Sequence, residues 1–129
     1  DRTGGHDELR DLGPAGREVA GAVLLSRLSD PDSFIVSEAA YSLGVLDVDR
    51  HKAVLCDLVD ERRESDVLGR TLTVLRSAFE PADLPRLRLW ARQFEASPPT
   101  GERATRITKY LEYLVLYVEH KYLSDPVAP

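Results

Sequence analysis

The sequence predicts an all-α protein of six to seven helices, arranged as about three antiparallel pairs that stack into a solenoid. Three observations lead to this fold: apolar residues recur with helical periodicity, prolines mark helix starts, and part of the pattern repeats after 31–32 residues. Strand signals are absent, because β-branched residues are scattered and no two-residue hairpin turn occurs. The 129 residues fit one domain, 1–129, within which we expect 1–12 to be a mobile N-terminal segment and 125–129 a tail.

A proline close behind an acidic residue or a glycine marks each of three helix starts. At Asp30-Pro31, the proline biases Asp30 away from the α region, the carboxylate can cap free N–H groups, and Pro31 fits the first helical position. Similar signals at Gly13-Pro14 and at Asp83 with Pro85 predict helices over about 14–29 and 83–96. The segment SPPTG, residues 97–101, is the strongest loop signal in the chain.

Apolar periodicity predicts the helices between these points. Residues 34–46, 66–79 and 84–94 each place their apolar side chains on one face, whereas Arg70, Thr73, Arg76 and Ser77 lie opposite the apolar face of the second. The run 19–25 is apolar nearly all round, which predicts a helix covered on more than one side.

An internal repeat favours a stack of helix pairs over a non-repetitive bundle, which remains the alternative. Residues 22–25 recur as 53–56, an offset of 31. Val36, Ala39, Ala40 and Leu43 align with Leu68, Thr71, Leu72 and Leu75, an offset of 32. One two-helix unit cannot bury its apolar face alone, so such units stack and share a core.

The segment SDPDSFIVSEAAYSLGVL resembles the second helix of a HEAT repeat, in particular the short bacterial kind named after phycobilisome lyases. The matching positions are Asp30-Pro31, Val36, Ala39-Ala40 and Leu43-Gly44. The resemblance implies a right-handed α-solenoid that scaffolds or recognises a partner, and it implies no chemistry. The family commonly has a basic residue just after the valine, which pairs along a ladder of charges. Ser37 and Gly69 occupy that place here, so the chain departs from this pattern.

Composition narrows the function classes. A formal net charge of −5 argues against a dedicated nucleic-acid binder, although residues 83–109 alone sum to +3. No stretch reaches the roughly 18 apolar residues of a membrane span. The single cysteine excludes an intramolecular disulfide, and from this cysteine usage we expect a cytoplasmic protein. Fourteen arginines against three lysines, with no asparagine, indicate a GC-rich bacterial genome, and the absence of methionine suggests a piece of a longer protein.

No motif predicts catalysis, a cofactor or a metal site. The histidines, His6, His51 and His120, show no metal-ligand spacing, and the single cysteine, Cys56, sits in an apolar run typical of a buried small side chain. Phosphate-binding loops and nucleophile elbows are also missing. The charged residues of 57–66 are best interpreted as a solvated turn between helices with local ion pairs.

The last helix, about 102–123, carries the candidate contact surface. Tyr110, Tyr113 and Tyr117 form a stripe beside the core stripe of Ile107, Leu111, Leu114, Val118 and Tyr122. This apolar arc is wider than one neighbouring helix needs, so the helix either caps the stack or docks a partner or a second copy. The residues predicted to bind a partner are Arg88, Arg92, Arg106, Tyr110, Tyr113 and Tyr117. Arg88 and Arg92 project into water together. They belong to a basic group for which a solvated face balanced by Glu95 and Glu102 is the simpler interpretation: Arg86, Arg88, Arg92, Arg103, Arg106 and Lys109.

The preferred function is a non-enzymatic protein–protein interaction or scaffold module, of a kind that would suit one domain of a larger bacterial protein. Two alternatives stay open: a nucleic-acid-binding domain that uses the basic region Arg86–Lys109, and a homo-oligomerising helical domain. The sequence names neither the partner nor the face that binds it.

Overall fold

The protein is all-α, as the sequence predicts. The computed structural model describes residue 9 and residues 11–123, with side chains as far as 121; residues 1–8, 10 and 124–129, with most of the expected mobile segment and the whole tail, lie outside it. The α-helices are α1 (Pro14–Arg27), α2 (Ser33–Glu61), α3 (Ser65–Leu75), α4 (Leu84–Ala96) and α5 (Ala104–Leu123). Two 3₁₀ turns, Arg76–Ala78 and Pro81–Asp83, link α3 to α4. Within the described part there are thus five α-helices rather than six to seven, and no strand.

The longest helix, α2, accounts for part of the difference because it consists of two helical arms. Asp47 has φ −170° and ψ 90° and separates them. The Asp47 carboxylate accepts a hydrogen bond from the Arg50 amide at 3.2 Å, as an N-cap does for the helix that follows. At the end of the first arm, the guanidinium of Arg17 in α1 donates to the Leu46 carbonyl at 2.7 Å. One free backbone group at each of the two helix ends is therefore satisfied at the kink.

The start of α2 lies two residues later than the sequence suggested. Asp32 is the N-cap, and its carboxylate accepts from the Phe34 amide at 3.0 Å. Asp30 instead accepts from the Asp32 amide at 2.8 Å, which forms a turn before the helix. The prediction that Asp30 caps and Pro31 begins the helix is wrong, because the second aspartate of the DPD sequence takes the capping position. Pro14 is the first residue of α1, as expected.

The prediction that the run 19–25 is covered on several sides is also wrong. Gly21 is the buried residue of α1, whereas Val19 is 67% exposed, Val23 43% and Leu25 38%. The described part of the chain gives α1 one main neighbour, α2, so that only one side of the helix is packed. Apolar residues all round a helix indicate that several of its sides are suited to burial. They do not show that other described residues pack against each of those sides.

The core lies between α2 and α3 and extends to α4 and α5. The positions that align at an offset of 32 are buried both in the first arm of α2 and in α3, for example Val36 with Leu68 and Leu43 with Leu75. Trp90 and Phe94 of α4 are fully buried, and Phe79 meets Trp90 edge to face at 6.2 Å between ring centroids. Burial of each such side chain contributes about 1.5–3 kcal/mol.

Polar side chains attach α4 to the second arm of α2. The Trp90 indole donates to Asp60 at 2.6 Å, and Arg86 bridges Asp57 and Asp60. Burial alone would raise the pKa of the Asp60 carboxyl, but the hydrogen bonds from Trp90 and Arg86 outweigh it and lower that pKa below its ordinary value. Lys52 bonds the Ala78 carbonyl and pairs with Asp83 at 2.7 Å, which ties the turn before α4 to the same arm.

The turn after α2 meets the SPPTG loop through backbone hydrogen bonds. Thr100 donates to the Arg63 carbonyl at 2.7 Å and accepts from the Ser65 amide at 2.8 Å. Arg62 pairs with Glu64, and its hydrogen bond lowers the pKa of that carboxyl to about 2, so the expected local ion pairing is present. Gly101 has φ 101°, a left-handed conformation that favours glycine, and its backbone lies against Ser65.

The contacts between helices share a sequence separation. Most long-range side-chain hydrogen bonds and ion pairs join residues 29–33 positions apart. Arg50 with Glu18, and Lys52 with Asp83, are examples from successive helices. This separation equals the repeat found in the sequence, within about two residues.

Candidate partner-binding surface

The three tyrosines of α5 form a continuous ladder on the protein surface. The ring centroids of Tyr110 and Tyr113 are 6.0 Å apart, and so are those of Tyr113 and Tyr117. Tyr113 is 46% exposed, while Tyr110 and Tyr117 are half-buried. Burial raises the pKa of the Tyr110 hydroxyl above its ordinary value, and this hydroxyl forms a side-chain hydrogen bond with Thr73 of α3.

Cationic side chains lie against this ladder. Arg76, from the 3₁₀ turn after α3, places its guanidinium carbon 5.6 Å from the centroid of the Tyr117 ring. The ammonium of Lys121 lies 5.8 Å from the same ring. Both distances fit cation–π contacts, so Tyr117 links α5 to the end of α3.

A second tyrosine–arginine pair extends the surface to α2. Arg70 of α3 stands over the ring of Tyr41 at 4.9 Å and pairs with Glu38 at 3.2 Å. A shallow depression of about 330 Å³ lies between α2 and α3, and both Tyr41 and Arg76 line it. The surface is therefore continuous across three helices. We call it the tyrosine–arginine surface, and its members are Tyr41, Arg70, Arg76, Tyr110, Tyr113 and Tyr117.

The structure divides the six predicted contact residues into two groups. Arg106 is exposed on α5, the helix that also carries the three predicted tyrosines. Arg88 and Arg92 are exposed on α4, as expected, and Arg88 pairs with Glu119. Glu119 follows Tyr117 by two residues, which is about 200° around the helix, so Arg88 approaches the opposite flank of α5.

Sequence reasoning missed Tyr41, Arg70 and Arg76 as members of this surface. The sequence contains a partial signal for the two arginines, since both lie opposite the apolar face of their helix. Tyr41 gives no such signal, because only the packing of α2 against α3 brings it beneath Arg70. The basic region Arg86–Lys109 is likewise divided, with Arg86 held by Asp57 and Asp60 and Arg88 by Glu119.

A second concave site lies between α1 and the kink of α2. This cleft of about 520 Å³ is lined by the Arg50–Glu18 ion pair, by His51 and by apolar side chains that include Leu25 and Val54. Burial, followed by the nearby charge of Arg50, lowers the pKa of His51, so the imidazole is neutral at physiological pH.

The described residues contain little that resembles reaction chemistry. Burial raises the pKa of the Cys56 thiol, which keeps it in the less reactive protonated form. Among residue 9 and residues 11–123, no group of three or more His, Cys, Asp or Glu side chains is placed to hold a metal ion. In the same part of the chain, no helix combines the length and the apolar character that crossing a bilayer requires.

No protein-family model matches the chain, and no curated protein or solved structure gives a significant match.

Proposed function

We propose that the chain is a HEAT-like α-solenoid module, without enzymatic activity, that binds a protein partner through the tyrosine–arginine surface. The observation that carries this proposal is the continuous set of tyrosines and arginines across α2, α3 and α5, with the Tyr113 ring half in solvent.

The spacing of contacts supports a stack of repeated units. In a solenoid, a residue touches the equivalent position of the next unit, so that contact separations equal the repeat length. The common separation of 29–33 residues fits this arrangement. The Glu38–Arg70 pair adds a charge contact between units one position after Ser37 and Gly69, where the family's basic residue is missing.

The chemistry of the surface supports partner binding. Tyrosine and arginine are enriched in protein interfaces, because an aromatic ring buries a large area at a small entropic cost and a guanidinium donates several hydrogen bonds. Stacking of the three rings along α5 restricts their rotamers before any partner arrives, which reduces the ordering cost of binding.

Replacing both Tyr113 and Tyr117 by Ala tests the proposal. We expect weaker association with proteins captured from a lysate, measured as the amount bound at equal bait, and near-normal helicity, because the core stripe of α5 is unchanged. Leu89→Ala is the matched control, since Leu89 is also a large apolar residue, 43% exposed, on α4. Capture and sedimentation identical to the unsubstituted protein would remove the proposal.

Self-association is the second candidate function, because α1 exposes Val19 and Val23 as well. Sedimentation at several concentrations separates the two candidates. A mass that rises with concentration, and that falls when both valines are replaced by serine, would favour a homo-oligomer over a different partner.

A further inference from the structure

About half of the described basic side chains outside α5 are neutralised within the protein. Six of them pair with carboxylates in the described part of the chain, and most of these pairs join different helices or turns. They are Arg50, Lys52, Arg62, Arg70, Arg86 and Arg88. The chain carries a net charge of −5, so carboxylates are in surplus.

Three basic residues at the beginning of α5 belong to the unpaired half and lie close together in the sequence. Arg103, Arg106 and Lys109 are exposed, and none of them forms an ion pair with a described residue. Carboxylates outnumber basic side chains in this chain, so a lack of acidic residues does not explain why these three residues form no ion pair. Glu102 precedes them and Glu112 follows them, but neither pairs with any of the three, which therefore form a local excess of unpaired positive charge on an acidic protein.

The cations continue directly into exposed apolar side chains. Tyr113 is 46% exposed and Leu116 55% exposed. Each residue of an α-helix turns by about 100° and rises by about 1.5 Å. Four exposed residues of α5 therefore lie within about 80° of the helix circumference and about 15 Å of its length: Arg106, Lys109, Tyr113 and Leu116. Glu112 borders this strip, and Glu119 is already engaged by Arg88.

The position of the cations is unfavourable for the helix itself. The Arg103 carbonyl accepts the first helical hydrogen bond of α5, from Ile107, so Arg106 is the third residue of the helix. A cation in the first turn meets the positive end of the helix dipole, and the first turn of α5 contains no acidic residue. The charge of Arg106 and the positive end of the helix dipole therefore add, and together they attract an anionic group.

We propose that this α5 strip, defined by Arg103, Arg106, Lys109, Tyr113 and Leu116, binds an acidic protein segment that also carries an apolar or aromatic side chain. Carboxylates of the segment pair with the three cations, and its apolar side chain packs on Tyr113 and Leu116. The inference rests on the proposed function and specifies the chemical class of its partner.

Selection from a display library of random 16-residue peptides tests the inference. The targets are the unsubstituted protein, Arg106→Glu/Lys109→Glu, and Tyr113→Ala/Tyr117→Ala. We expect peptides enriched on the unsubstituted protein to combine Asp and Glu with Phe, Tyr or Leu. The dissociation constant of such a peptide should rise about tenfold or more on the charge-reversed protein, and it should rise with added salt.

Two single substitutions separate lost binding from lost folding. Arg106→Glu puts a carboxylate at the favourable end of α5, so its melting temperature should stay equal or increase while peptide binding weakens. Arg27→Glu makes the same charge change in the last turn of α1, where the dipole favours a cation. That variant should melt slightly earlier and bind the peptide as before.

The outcomes distinguish the inference from the function on which it rests. Enriched peptides that depend on Tyr113 and Tyr117 but show no acidic excess would overturn the inference and leave the proposed function standing. If no enriched peptide depends on the tyrosines, both fail. Tighter binding of an oligo(dT) 16-mer than of any acidic peptide, with the same dependence on Arg106 and Lys109, would overturn the inference in favour of nucleic acid.

Discussion

Gly44 shows how a single residue sets the distance between two helices. A methyl group built on its Cα would lie 2.3 Å from the Cβ of Val74 in α3, which is closer than real Cβ contacts. The glycine therefore lets α2 and α3 approach each other where larger residues would hold them apart. Gly21 in α1 also faces a neighbouring helix, but a methyl group there would meet Leu46 at 3.7 Å, an ordinary contact distance.

We expect Gly44→Ala to lower the free energy of unfolding by about 1–3 kcal/mol, because the added methyl overpacks the contact with Val74. Gly21→Ala is the matched control, and we expect it to be neutral or to stabilise by up to about 1 kcal/mol, since alanine is the better helix former. Urea denaturation of both variants measures the difference. Equal effects at the two positions would contradict the close approach of α2 and α3.

The sequence predicted many of these residue-scale features, but not all. The buried positions Val36 and Leu43 follow from helical periodicity alone. The choice of Asp32 over Asp30 as the cap does not, because both aspartates can accept a backbone hydrogen bond. Only the direction in which the chain enters α2 decides between them.

The kink in α2 determines the arrangement at the scale of elements. One non-helical residue, Asp47, changes the chain direction between two arms of similar length. Its side chain begins the second arm, and Arg17 from α1 satisfies the end of the first. The sequence lacks a glycine or proline at this point, so the boundary carries no strong turn signal.

Asp47→Ala should lower the free energy of unfolding by about 1 kcal/mol, because the Arg50 amide loses its capping acceptor. Asp49→Ala is the control, since Asp49 is exposed two residues away and should change the free energy by less than about 0.5 kcal/mol. Chemical denaturation reports both values. A comparable loss in the two variants would show that charge, and not the cap, is responsible.

Helices on one side of the molecule have fewer neighbours than those in the middle. The described part of α1 packs on α2 and buries little more than Gly21, whereas α2 and α3 contribute most of the core. A helix with few buried contacts opens at a lower free-energy cost than the helices that form the core.

Hydrogen exchange followed by mass spectrometry should therefore show graded protection. Amides of α1 should exchange first, and those of the second arm of α2 and of α3 last, by at least about tenfold in rate. One common rate for all five helices would contradict the graded arrangement and indicate a single cooperative bundle.

The fold was easier to predict from the sequence than the candidate site. Periodicity and prolines located most helices, because each signal lies within one helix. The tyrosine–arginine surface forms only when three helices pack together. The contact of Tyr41 with Arg70 and that of Arg88 with Glu119 each join two different helices, so the sequence alone does not predict them. The tyrosines of α5 were predicted because the whole stripe belongs to one helix.

The short span of the contacts has a consequence for the way the chain folds. The hydrogen bonds and ion pairs described above connect residues at most 37 positions apart. The entropic cost of closing a loop grows with the logarithm of its length, so contacts of this span cost less to form than contacts between the two ends of the chain. During synthesis, each helix could therefore dock on the one before it soon after leaving the ribosome, without waiting for the C-terminal residues.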